Sequence, residues 1–86
     1  MPDIKTAVRG YIEENILLGQ KVEGFTDDAS FLALGILDST AVLEVIAFLE
    51  DTFSIKVTDA EMIPANLDSL VLIEAYVRRK NSAVAS

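Results

Sequence analysis

Two adjacent carboxylate–hydroxyl pairs, Asp38-Ser39 and Asp68-Ser69, each stand just ahead of an apolar, helix-forming run. A serine in that position can accept hydrogen bonds from the free N–H groups that open a helix. It can also be the point at which another group is covalently attached. Capping is the ordinary reading of either pair taken alone. Serine catalysis is a third use, and the composition argues against it. The 86 residues contain no His and no Cys, so no Ser-His pair can activate a hydroxyl and no imidazole can shuttle a proton. The same absences exclude thiolate and imidazole metal sites and leave only carboxylates as ligands. The glycines are scattered and form no phosphate-cradling motif. We expect no catalytic residues and no metal site.

The elements around the pairs separate them. Residues 3–18 read as an amphipathic helix, with Ile4, Ala7, Val8, Tyr11 and Ile12 on one stripe and Lys5, Arg9 and Glu13 facing away. Pro2 suits its first turn and Gly19 its stop. A long connection, Gln20 to Leu37, follows. Phe25, Phe31, Leu32 and Leu34 should pin it to the core, with a helical turn near residues 30–33. The second helix is expected from Ser39 to Thr52, capped by Asp38 or Ser39, with Val42, Val45, Ile46, Leu49 and Phe53 buried. Leu43, Ala47 and Phe48 widen that apolar side. Val42, Ile46 and Leu49 have two open readings, core packing or the lining of a tunnel. Residues 54–57 alternate like a strand, but so short a run has no partner, so an extended link is expected. Thr58 and Glu61 make a capping-box pattern, opening a short helix through Ile63 that Pro64 ends. The last helix should span Asp68 to Lys80, burying Leu70, Ile73, Tyr76 and Val77, with Arg78, Arg79 and Lys80 at its C-terminal dipole. Ser39 thus follows a long, glycine-punctuated connection, whereas Ser69 opens the final helix.

Half the residues are hydrophobic (51%), too many for a disordered chain, and the length suits a single core. We expect an all-α, small four-helix bundle, three main helices plus one short one, with residues 1–80 as the domain and 81–86 as a flexible tail. No apolar run approaches a membrane span and the start lacks a signal-peptide pattern, so a cytoplasmic, monomeric protein with no membrane partner is expected. The net charge of −7 is unevenly placed. Residues 1–22 balance to zero, 62–86 carry +1, and 23–61 carry −8. Such a field repels nucleic acid and attracts basic protein surfaces, although it also serves solubility.

The segment Asp28-Ala29-Ser30-Phe31-Leu32-Ala33-Leu34-Gly35-Ile36-Leu37-Asp38-Ser39 resembles the approach to the modified serine of acyl and peptidyl (aminoacyl) carrier proteins. Leu49 to Val57 resembles the end of that family's second helix and the link after it, and Asn66 to Arg79 its last helix. The resemblance runs in consistent order over residues 4–80. It implies a bundle of acyl-carrier-protein type with a long first loop, a non-catalytic carrier, and 4′-phosphopantetheine attached to Ser39 from coenzyme A by a separate phosphopantetheinyl transferase. Asp38 would be the acid the transferase recognises. Thr40, Leu43, Glu44, Ala47, Glu50 and Asp51 would meet partners: an acyl- or aminoacyl-loading ligase and downstream transferases with basic docking surfaces. Ser69 is left as a plain cap. Two departures stand out: Thr40 where Leu commonly follows the serine, and Ala41 where an acid is common. They point to a specialised freestanding carrier serving a dedicated ligase, for an amino acid or an unusual acyl group. The alternative is an acidic helical adaptor that binds a basic partner through Glu44, Glu50 and Asp51 without covalent modification.

Overall fold

Ile4, Val8 and Ile12 recur at helical spacing, and in the computed structural model they are the buried stripe of α1 (Ile4–Asn15). The structure describes residues 3–20 and 22–85, apart from the side chains of Ser39 and of residues 82–85. The expected role of Pro2 lies outside the described residues. α1 stops at Asn15, short of the expected end, because two successive left-handed residues, Leu18 (φ 52°) and Gly19 (φ 85°), turn the chain away. Arg9 does not face away as expected. Its guanidinium lies 4.3 Å over the Phe25 ring and donates to the Phe25 carbonyl and the Asp27 carboxylate, each at 3.0 Å. Lys5 adds a 3.7 Å ion pair to Asp27, so α1 holds the start of the long connection by its polar side.

Within that connection lies α2 (Phe31–Leu34). Phe31 is the anchor, buried to 1% exposure, with Phe25 edge-on to it at 6.0 Å. Leu32, expected in the core, is 63% exposed. α3 (Ser39–Phe53) buries Val45, Ile46 and Leu49, with Val42 and Phe53 at the margin. Leu43 and Ala47 do not widen this stripe; both face solvent. α3 ends at Ser54, a non-glycine residue in the left-handed region (φ 56°). Residues 54–57 form no strand, as expected, and Ile55 plugs into the core.

The Thr58–Glu61 capping box is present, but it opens a single 3-10 turn (Asp59–Glu61). Pro64 does not end a helix; it takes the first position of α4 (Pro64–Leu67), where its missing N–H costs nothing. α5 (Leu70–Ala85) buries Leu70, Ile73, Tyr76 and Val77 and continues beyond the expected end at Lys80. Arg78, Arg79 and Lys80 therefore sit inside the helix, not at its C-terminal dipole. Lys80 instead pairs with Glu61 at 2.9 Å, Arg78 with Glu74 at 3.6 Å, and Arg79 donates to Asn66 at 3.0 Å.

The result is the all-helical bundle expected, with α1, α3 and α5 packed pairwise around one core and α4 seated on α5. Tyr11 and Phe48 stack at 4.4 Å to seal the α1–α3 contact. The short elements are more numerous than expected: α2, the 3-10 turn and α4. No helix among the described residues is long and apolar enough to cross a membrane.

Candidate functional site

The run Gly35–Thr40 is assembled by two helix ends meeting. Gly35 (φ 68°) closes α2 in the left-handed conformation that a Cβ disfavours. Its N–H donates to Leu32 O at 3.2 Å while Ile36 N donates to Phe31 O at 3.0 Å, the paired bonds of a Schellman turn. Ile36 and Leu37 then drive into the core, each 7% exposed. Asp38 is extended, and its carboxylate accepts from Ala41 N at 2.7 Å, so Asp38 is the cap of α3. Ser39 stands at the first helical position. Of the two caps open from sequence, the structure takes the acid.

From there an exposed stripe runs along α3 through Thr40, Leu43, Glu44, Ala47 and Asp51, spaced three and four residues apart. Five of the six expected partner residues are brought onto this one face. The sixth, Glu50, is half-buried, and its carboxylate accepts from Val57 N at 2.9 Å. Glu50 fastens the link after α3. Sequence could not show this, because the bond depends on the left-handed turn at Ser54 folding the chain back.

Ser69 is placed differently. It is 5% exposed, and its oxygen accepts from Leu72 N at 3.1 Å, as a cap of α5 should. The surprise is its neighbour. Asp68 accepts from Ser30 Oγ and from Leu32 N (3.0 Å) through its carboxylate, and from Phe31 N (2.8 Å) through its carbonyl. No local pattern signals this, since the bonded groups lie 36 to 38 residues apart along the chain.

A groove of about 150 Å³ opens between α2, the start of α3 and α4. Its walls are mainly apolar, including Phe31, Leu37, Val42, Met62 and Leu67, and Asp68 also lines it. Val42 thus takes the lining role; Ile46 and Leu49 pack in the core. Leu37 and Val42 bring this groove to within a turn of Ser39 on either side.

The position also suits a phosphodiester. The first N–H groups of a helix lack intrahelical acceptors and favour an anion, and both flanking residues, Asp38 and Thr40, are exposed. A protein-family model described as a phosphopantetheine attachment site matches residues 8–77, from within α1 to within α5. No curated protein matches the chain.

Proposed function

Because the chain belongs to the phosphopantetheine attachment family, we propose that Ser39 bears the prosthetic group and that this is a carrier presenting acyl or aminoacyl groups to partner enzymes. The family's cofactor is 4′-phosphopantetheine, covalently held, and it supplies the thiol on which cargo rides as a thioester. That agrees with a chain without Cys or His, which has no such group of its own. The protein's share is to fix the attachment point and to be recognised.

One observation carries the choice of serine. The α3 cap is supplied by Asp38, so helix opening does not require Ser39, whereas Ser69 is buried and engaged as a cap. Asp38, exposed beside it, is suited to recognition by the transferase. The stripe Thr40, Leu43, Glu44, Ala47 and Asp51 is the docking face for basic partner surfaces. Its charges steer encounter and select partners more than they hold them. The mainly apolar groove offers a surface on which an apolar cargo can rest. This agrees with the departures at Thr40 and Ala41 and with a dedicated ligase as partner. The unmodified-adaptor alternative would use the same stripe, and no specific observation favours it.

The test is incubation of the apoprotein with coenzyme A, magnesium and a promiscuous phosphopantetheinyl transferase, read by intact mass. One prosthetic group should be added to the native chain and to Ser69→Ala, and none to Ser39→Ala. Addition that survives Ser39→Ala overturns the assignment.

A further inference from the structure

We infer that Asp68 is a positioning residue for group attachment at Ser39, acting through α2, an inference that rests on the carrier reading above. A four-residue helix cannot hold itself. Phe31 is its one buried side chain, and Leu32 points to solvent. What fixes α2 is a set of bonds from three consecutive residues to one. Ser30 Oγ donates to one carboxylate oxygen of Asp68, Leu32 N to the other at 3.0 Å, and Phe31 N to its carbonyl at 2.8 Å. Ser30 Oγ also accepts from Ala33 N at 3.2 Å, so the local cap of α2 is itself held by Asp68. Val71 N donates in return to Asp27 O at 3.0 Å. Two opening N–H groups of α2 and one of α5 thus find their acceptors in the segment that precedes the other helix.

This clasp reaches the attachment point through a short, stiff path. The Schellman turn at Gly35 fixes the exit from α2, Ile36 and Leu37 are buried, and Asp38 caps α3. Only those three residues lie between the turn and Ser39, so a shift of α2 is carried into the Asp38-Ser39 pair. With the clasp broken, the presenting conformation becomes one of several. A transferase that binds only that conformation then sees an affinity reduced by its population, while the chemistry after binding is unchanged. The signature is a raised KM for the apoprotein at constant kcat. A merely structural residue would move neither below its melting temperature.

The experiment compares transferase kinetics on native apoprotein, Asp68→Ala, Asp68→Asn, Ser30→Ala and the double variant Ser30→Ala/Asp68→Ala. Val77→Ala, a core change two turns further along α5, is the destabilised control. Asp68→Ala should raise KM about tenfold with kcat within a factor of about two. Asp68→Asn, which keeps one acceptor oxygen, should recover part of the loss. Ser30→Ala and Asp68→Ala should be less than additive, since they share a bond. Amide exchange across residues 35–40 should quicken in Asp68→Ala and stay native in Val77→Ala. A KM for Asp68→Ala no higher than that of Val77→Ala, or a fall confined to kcat, overturns the inference. If Asp68→Ala does not fold, Asp68→Asn and Ser30→Ala decide by the same criteria. A native chain that gains no mass sinks the carrier reading and this inference with it. Normal native loading with unchanged exchange in the variants sinks the clasp alone.

Discussion

One carboxylate oxygen of Glu61 accepts from the Thr58 N–H and hydroxyl at 3.2 and 3.0 Å, from the Tyr76 hydroxyl at 3.1 Å and from Lys80 at 2.9 Å. The Lys80 bond first, and the Thr58 N–H next, hold this carboxyl down from 4.5 to about 2. Tyr76 moves the other way, pushed up from 10.0 to about 12, chiefly by burial and then by its bond to Glu61. A carboxyl depressed in the folded state contributes stability that is complete above about 4.5 and is lost as pH falls towards 2. A phenol raised in the folded state contributes stability that is complete below 10 and is lost as pH rises towards 12. Melting temperature against pH should therefore fall at both ends. Glu61→Gln should flatten the acid limb between 4.5 and 2, and parallel limbs for variant and native protein would contradict the assignment. At the buried cap of α5, Ser69→Ala should cost about 1 kcal/mol in urea unfolding by orphaning Leu72 N, without affecting loading. The Thr58–Glu61 pair was readable from its spacing. Tyr76 and Lys80 were not, because they join it only when α5 packs alongside.

α3 shows how far periodicity carries and where it stops. Its limits and its buried Val45, Ile46 and Leu49 follow from the spacing of apolar residues, because a helix face is a local property. Leu43 and Ala47 were ambiguous, apolar in type but on the flank of the stripe, and only the position of α1 and α5 leaves them exposed. Pro64 misled for a related reason: proline ends one helix or begins the next, and the choice depends on the 3-10 turn before it. The acids of α3 now divide by role. Glu44→Lys should slow cognate loading while leaving unfolding free energy within about 0.5 kcal/mol, as for other exposed sites. Glu50→Ala should cost about 1–2 kcal/mol, because Val57 N loses its acceptor. Equal stability for the two variants would show that the Glu50 bond contributes nothing. At the join of α2 and α3, Gly35→Ala meets no atom within 4 Å, so its expected cost of about 1 kcal/mol is backbone strain alone. A neutral result in urea titration would mean that the turn relaxes.

At the scale of the whole chain, the charge imbalance seen in the sequence is partly consumed by the fold. Within the acidic segment 23–61, Asp27 is paired with Arg9 and Lys5, Glu61 with Lys80, Glu50 with a backbone N–H, and Asp38 with the start of α3. Glu44 and Asp51 remain exposed on the α3 stripe proposed for docking. Salt should therefore act on this protein in two opposite senses. Screening relieves self-repulsion of a chain carrying −7, so melting temperature should rise as ionic strength increases from about 0.05 to 0.5 M. The same screening weakens steering, so kcat/KM with a basic partner enzyme should fall over that range, through association more than through chemistry. Glu44→Lys/Asp51→Lys takes the net charge from −7 to −3, each reversal adding two. The double variant should lose most of the salt dependence of kcat/KM, and its low-salt rate should approach the native high-salt rate. Its melting temperature should respond less to salt than the native protein's. Salt dependence of loading that persists undiminished in the double variant would place the steering charges off this stripe.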